Sequence, residues 1–319
     1  MPFIYALVAV AVIAVIVLVI SYVCYRITFG RNEKKSSNPY NILDVPYFAE
    51  FKGVMKQMIA DATSSPYEDV NIRSRDGINL HARYYHNRDG APVEIQIHGY
   101  RGHPLRDFCG GIRDSKARGH NLILVDQRAH GGSGGKAISF GIKERYDCLD
   151  WINYATERFG EDTPIILIGI SMGASTVLMA SGLSLPDSVK VIMADCPFSS
   201  PEAIIRKVIK DMKLPHRIAF PFVRLGGMIF GGFDVCSSSA LDAVKSSKTP
   251  TLLIHGERDS FVPFEMGKAL YDNLGSEKKA FLPVAGADHG TSYFLDMERY
   301  LGVVEEFIFS TLERKDDEA

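Results

Sequence analysis

Six short, largely apolar runs recur between residues 93 and 283, and stretches with helical spacing stand between them. The runs are 93–97, 121–125, 165–170, 189–194, 251–254 and 280–283. Each is too short for a helix, and most lack a polar face, which is the pattern of strands buried on both sides. The helical stretches are 107–118, 142–159, 174–181, 264–274 and 292–312. Such an alternation predicts an α/β fold, a mostly parallel central sheet flanked by helices. Two further strands, 70–74 and 78–85, precede it, joined by the turn Arg75-Asp76-Gly77.

The alternation breaks once, from about 199 to 248. Helix-like pieces at 201–212 and 218–230 occupy the break, and it holds no clear strand. The second piece is very apolar, with Ile218, Phe220, Phe222, Val223, Leu225, Met228, Ile229 and Phe230. It is expected to be a helical cap inserted between two core strands, over the site. The catalytic domain is expected to span 70–319, ending in a frayed charged tail at 313–318.

The first residues follow another rule. Residues 2–25 carry no charged side chain. As a helix, 3–24 would extend ~33 Å, enough for a hydrocarbon core of ~30 Å. Tyr5 at one end, and Tyr22 and Tyr25 at the other, suit the two interfaces. A cleaved signal peptide would need a basic start, a shorter core and a small-x-small cleavage site, none of which is present. A buried soluble helix is rarely apolar on every face. Residues 1–25 are therefore expected to be a single-pass transmembrane anchor. Arg26, Arg31, Lys34 and Lys35 follow the span and no cation precedes it, so the catalytic domain is expected in the cytoplasm. Residues 26–69 are expected to form a linker, polar at 32–39, and an amphipathic helix at 47–62. That helix presents Phe48, Phe51, Val54, Met55, Met58 and Ile59. Only Lys52 and Lys56 are positive on its polar face, which favours packing on the domain over lying on a membrane.

Charge and cysteine usage exclude other classes. Lys and Arg number 36 against 38 Asp and Glu, a net charge of −2, with no basic stripe for nucleic acid. The five cysteines, Cys24, Cys109, Cys148, Cys196 and Cys236, are odd in number and far apart. That spacing fits buried thiols rather than a disulfide framework or a zinc site.

The chemistry gathers at strand ends. Gly169-Ile170-Ser171-Met172-Gly173 follows the apolar strand 165–170 and precedes a helix-compatible stretch. G-x-S-x-G in that setting is a nucleophile elbow: the glycines permit close backbone approach and unusual φ, and the serine stands at a helix N-terminus. Ser171 is the candidate nucleophile. His289, just after the last strand, is the candidate base. Asp259, after the penultimate strand, is the candidate carboxylate that orients it, giving the chain order Ser171, Asp259, His289. Glu257, Asp195 and Asp288 are its rivals, Glu257 being the nearest. The loop His98-Gly99-Tyr100-Arg101-Gly102 follows the strand 93–97. It can supply the Tyr100 N–H to an oxyanion hole, with the Met172 N–H as second donor. The glycine-rich stretch from Asp126 to Gly135 lacks the ending of a phosphate loop, so it is taken as a structural turn, with His130 structural too.

These motifs together resemble the α/β-hydrolase superfamily from about Val70 onward. The resemblance rests on five motifs in order: His98-Gly99; Asp126-Gln127-Arg128-Ala129-His130-Gly131-x-Ser133; the elbow; His255-Gly256-x-x-Asp259-x-x-Val262-Pro263; and His289-Gly290. Ala129 departs from the glycine many relatives carry. Within the superfamily the chain is similar to the serine aminopeptidase/monoacylglycerol lipase-like group and to membrane-anchored bacterial hydrolases. That group implies an esterase, lipase, thioesterase or peptidase. The expected activity is hydrolysis of a carboxylic ester or thioester through an acyl-enzyme, the apolar cap and anchor favouring an acyl ester or lipid-like substrate. A peptidase of small peptides would need a fixed acidic group for the substrate amine, which the sequence does not identify. A non-catalytic binding module would have no need of all three site residues. No metal or organic cofactor is implied.

Overall fold

A computed structural model describes residues 1–32 and 38–313. Lys34 and Lys35, most of the polar stretch 32–39 and nearly all of the charged tail lie outside the described residues. Eight strands form one sheet: β1 (Glu68–Arg73), β2 (Asn79–Tyr85), β3 (Val93–Ile97), β4 (Asn121–Asp126), β5 (Ile165–Ile170), β6 (Val189–Asp195), β7 (Thr251–Gly256) and β8 (Lys279–Val284). Their order is β1-β2-β4-β3-β5-β6-β7-β8. Only β2 runs antiparallel to its neighbours; from β4 to β8 every pair is parallel.

The strands sort their side chains with period two. On β4, Ile123 and Val125 enter one core, and Leu122 and Leu124 the other. On β5, Ile165 and Leu167 face the first core, and Ile166 and Ile168 the second. Both faces are dry, so β3, β4 and β7 are buried along their whole length, while the edge strand β1 is mostly exposed.

The helices run in chain order as α1 (Pro2–Phe29), α2 (Lys52–Ser64), α3 (Pro104–Asp107), α4 (Gly111–Ala117), α5 (Glu144–Phe159) and α6 (Met172–Ala180). There follow α7 (Pro201–Asp211), α8 (His216–Gly226), α9 (Ala240–Ser246), α10 (Phe264–Asp272), α11 (Ser292–Leu295) and α12 (Met297–Leu312). Three of them, α7 to α9, fill the break in the alternation between β6 and β7. Ser200 caps α7 by accepting from the Ala203 N–H, and Ser239 caps α9 by accepting from the Asp242 N–H. A turn of π-helix, Gly227–Gly231, follows α8. The expected single helices at 107–118 and 292–312 are each two pieces. The second breaks at Asp296, whose carboxylate caps α12.

The segment before the sheet differs from expectation. The helix expected at 47–62 is α2, beginning at Lys52 after a 3₁₀ turn at Pro46–Phe48. It packs on the body as anticipated, with Met55, Met58 and Ile59 buried against Cys109, and Phe51 stacked on Phe294 at 5.5 Å.

The larger departure concerns the apolar helix. It runs to Phe29 rather than 25, and no linker begins at residue 26. Ser21, Tyr25 and Phe29 are buried. Phe29 meets Phe140 at 5.9 Å and Phe233 at 5.0 Å, both edge to face. On the other side α8 approaches so closely that a Cβ on Gly226 would stand 2.3 Å from the Ser21 carbonyl oxygen. Beyond the helix, Gly30 bridges Ala137, and Arg31 donates to the carbonyls of Ser133 and Gly131 at 2.7 and 2.9 Å. The helix therefore has two parts: an exposed apolar stretch up to Ile20, and a last turn or two that belongs to the core. The reason is local. Aromatic residues at 22, 25 and 29 fall on one helical face and find aromatic partners, whereas the preceding aliphatic residues find none.

Phe29→Ala is therefore expected to cost about 3–5 kcal/mol of stability, the range for a buried phenylalanine. Val12→Ala, in the exposed stretch, should leave the unfolding midpoint of the detergent-solubilised protein unchanged. Denaturation curves of the two variants would check both.

Candidate active site

The site assembles where the sheet reverses its winding. From β3 the chain crosses to β4 on one side, and β5 onward step to the other, so a crevice opens at the C-terminal ends of β3 and β5. The elbow closes tightly there. A Cβ on Gly173 would stand 1.8 Å from the Ile97 carbonyl oxygen, and one on Gly169 would stand 2.4 Å from the Gly173 backbone. Both glycines are required by close approach alone, since neither has positive φ. The unusual φ expected of the turn falls on Ser171 itself, at +55° with ψ −115°. Strand, turn and helix α6 together over-determine that conformation.

Three of the expected residues come into contact. The Ser171 hydroxyl lies 3.0 Å from His289 Nε2, and His289 Nδ1 lies 2.7 Å from Asp259 Oδ2. A carboxylate at Nδ1 puts the ring proton there and leaves Nε2 as an acceptor toward the serine. Asp259 is held as an anion. Burial pushes its pKa up, but hydrogen bonds from His255, His289 and the Val262 backbone more than offset this and hold it far below the usual carboxylate range. Its other oxygen accepts from the N–H groups of Phe261 and Val262 at 2.9 and 2.7 Å.

The rival carboxylates stand elsewhere. Glu257 is exposed. Asp288 accepts from the N–H and hydroxyl of Ser260, and from the His289 N–H, and so ties the two loops together. Asp195 is buried at the end of β6, accepts from the Tyr300 hydroxyl at 3.2 Å, and is pushed by burial to a pKa of about 6.

The loop after β3 lies against the serine: a Cβ on Gly99 would be 3.4 Å from Ser171 Cβ. The Gly99 N–H donates to Asp107 at 2.9 Å, the Arg101 N–H to His130 Nε2 at 3.0 Å and the Gly102 N–H to the Gly99 carbonyl at 3.1 Å. The Tyr100 N–H, like that of Met172 at the start of α6, has no protein acceptor among the described residues. The two expected donors are thus without a protein acceptor among the described residues, one in the loop packed against Ser171 and one on the residue that follows it.

Sequence reading missed what fixes this loop. His130 is structural, as expected, but it acts on the site loop. Its Nδ1 donates to the Arg128 carbonyl at 2.9 Å, which leaves Nε2 to accept from Arg101. Burial, helped by neighbouring His98, pushes its pKa down to about 3. His98 is locked likewise, between the Gly99 carbonyl and the Gln127 N–H. The glycine-rich turn also accounts for Ala129: its φ of +60° is the left-handed conformation that glycine adopts freely. Tyr47 and Phe48, expected in a helix, stand instead over the histidine loop. A Cβ on Gly290 would lie 3.6 Å from Phe48. Burial and the charges of Asp288 and Asp259 push the Tyr47 phenol up to about 12.

Among the described residues one cluster has metal-ligating types, Cys196, Asp259 and His289, with ligand atoms within 4.8 Å of one another. Burial pushes the Cys196 thiol well up and keeps it protonated, and both histidine nitrogens are already committed. The donor set suits a proton relay better than a cation.

The depressed histidine has a consequence for stability. Unfolded, it titrates near ~6.5. Folded, it titrates near 3. Between these values the unfolded chain binds the extra proton, so stability falls as pH falls, by about 1.4 kcal/mol per pH unit. His130→Gln should lower the slope of unfolding free energy against pH by about one proton between pH 6 and 4. His98 and His103, also depressed by burial, retain the remainder. An unchanged slope would contradict the neutral, accepting His130.

Comparison with known proteins agrees with this fold. A family model described as alpha/beta hydrolase fold matches residues 95–224. The chain is 28% identical over 191 residues to the uncharacterized protein YqkD of Bacillus subtilis, covering 60% of this chain and 62% of that one, so less than two thirds of that protein's length is matched. It is 23% identical over 275 residues to the lysophosphatidylserine lipase ABHD12 of Danio rerio, covering 77% of this chain and 69% of the other. The structure resembles the Pyrococcus furiosus esterase Pf2001 with a TM-score of 0.63 and 24% identity, over 79% of this chain and 93% of that one. With the strand order, the crevice at its reversal and these likenesses in agreement, the chain has the α/β-hydrolase fold and is similar to members of that superfamily.

Proposed function

We propose that this chain is a serine hydrolase that cleaves a carboxylic ester or thioester bearing an acyl chain, through an acyl-enzyme on Ser171. One observation carries the reading: hydroxyl, imidazole and carboxylate stand in series at 3.0 and 2.7 Å, and the Tyr100 and Met172 N–H groups have no protein acceptor among the described residues. His289 Nε2 takes the Ser171 proton as the oxygen attacks the carbonyl carbon. Asp259 stabilises the imidazolium, and the Tyr100 and Met172 N–H groups receive the oxyanion. His289 then gives its proton to the leaving alkoxide or thiolate. In the second half the same nitrogen takes a proton from water, which attacks the acyl carbonyl and restores Ser171 while the acid departs.

The surroundings support an acyl or lipid-like substrate. Ile218, Met228, Ile229 and Phe230 of the helical insertion expose apolar side chains, and Phe230 packs on Tyr22 of α1 at 5.1 Å. The lipase from Danio rerio and the esterase from Pyrococcus furiosus point the same way. In this reading α1 is a single-pass anchor. Its stretch 2–20 faces outward almost throughout, and at ~1.5 Å per residue extends about 28 Å, close to a hydrocarbon core. The helix meets the body at Ser21, so the body rests on the bilayer without a spacer. The cations after the span support a cytoplasmic body; one of them, Arg31, is also bonded to the Gly131 and Ser133 carbonyls.

Ser171→Ala should fold and lose at least about 10³-fold in kcat on p-nitrophenyl esters. Asp259→Asn should be impaired far more than Glu257→Gln or Asp195→Asn. A folded Ser171→Ala protein with wild-type turnover would end the serine reading, and an inactive Glu257→Gln would move the acid. Protease added to intact spheroplasts should leave the body uncut; digestion from outside would reverse the orientation.

A further inference from the structure

The last carbonyls of a helix have no partner within it. In α1 they are taken by the loop beside Ser171. The Ile27 carbonyl accepts from Arg101 Nη2 at 2.7 Å, and the Thr28 carbonyl from the Tyr100 hydroxyl at 2.8 Å; the Gly30 carbonyl, just past the helix, accepts from the same guanidinium nitrogen at 3.3 Å. Arg101 also lies over the Tyr100 ring, 4.9 Å from its centre, and Tyr100 packs on Phe140, which packs on Phe29. The backbone is equally constrained. Arg101 sits at φ +50°, and the N–H groups of Gly99, Arg101 and Gly102 are all bonded. The one N–H of residues 99–102 without a protein acceptor among the described residues, that of Tyr100, thus belongs to a residue whose side chain is fastened to α1.

We propose that the last turn of α1 is a positioning element of the hydrolytic site: through the Arg101 guanidinium and the Tyr100 hydroxyl it sets the direction of the Tyr100 N–H, so that the seating of the helix governs turnover. The inference rests on the reading of that N–H as an oxyanion donor. An oxyanion donor acts on charge that develops in the transition state, and its effect falls steeply with misplacement. Disturbing the seat therefore lowers kcat and spares KM. Neither side chain touches the substrate in this account; both act through the backbone they hold.

Gly226 offers an independent way to move the helix. It lies on α8, and a methyl there would meet the Ser21 carbonyl oxygen at 2.3 Å and Tyr25 Cβ at 3.0 Å. Alanine favours a helix more than glycine, so Gly226→Ala displaces α1 without weakening α8.

The test uses the full chain in dodecyl maltoside micelles with p-nitrophenyl butyrate. Rates are taken per site labelled by a fluorophosphonate, and thermal midpoints are recorded in parallel. Arg101→Met should lower kcat about 10-fold or more with KM within about 3-fold, and Arg101→Lys should recover part of it. Gly226→Ala should also lower kcat at near-constant KM. The double variant Gly226→Ala/Arg101→Met should be no slower than Arg101→Met alone, because both act through one link. Wild-type kcat per labelled site in Arg101→Met and Gly226→Ala would overturn the proposal, whatever happens to their midpoints. So would losses that multiply in the double variant. If those two variants turn over normally while Ser171→Ala is inactive, this proposal alone falls. If Ser171→Ala turns over, the serine reading itself falls.

Discussion

The contact between Gly173 and the end of β3 governs the rest of the site. Backbone meets backbone there at a distance that leaves no room for a side chain, and three consequences follow. Strands β3 and β5 are held side by side where the sheet reverses its winding, so their loops face one crevice. Ser171 is forced to φ +55° and presents its hydroxyl above the start of α6. The loop after β3, which holds Tyr100, is pressed against the serine. The strain at Ser171, of order 1–3 kcal/mol for such a conformation, is carried by two dry cores that fix strand and helix independently.

Around that contact the polar groups are arranged by role. Asp259, anionic and accepting from two backbone N–H groups, orients His289. His98 and His130 are neutral through burial and serve as acceptors and donors that fasten the loop. Helix α1 adds a third support from outside the hydrolase core. Its outer stretch has the length and composition of a membrane span, while its last turn shares an aromatic cluster with the insertion and hydrogen bonds with the site loop. The last turn of α1 and the loop beside Ser171 are one packed unit.

Much of this was legible in the sequence because it depends on short-range pattern. Buried strands read as apolar runs, and the elbow, Asp259 and His289 each follow such a run directly. The strand positions come within a few residues of those expected, and the residues that meet at Ser171 are those singled out. What could not be read depends on pairing at a distance. Nothing near Phe29 announces Phe140 or Phe233, so the spacing ends the helix at 25, short of the residues that seat it on the body. His130 reads as a turn residue; that it accepts from Arg101 requires the fold to bring β3 and β4 together. Residues from Phe48 to Ile59 have apolar side chains at helical spacing, but Pro46 starts a 3₁₀ turn that takes in Tyr47 and Phe48, and the helix begins only at Lys52. Capping serines such as Ser239 were visible as residue types, yet α9 is too short for its periodicity to stand out.

The central claim is that Ser171 alone carries the covalent intermediate. Intact-protein mass spectrometry of the full chain mixed with a slowly turned-over p-nitrophenyl ester, followed by peptide mapping, tests it directly. A single acyl adduct on Ser171, forming and decaying at rates that account for turnover, is the predicted result. An adduct on another side chain, or steady turnover with Ser171 never acylated, would contradict it.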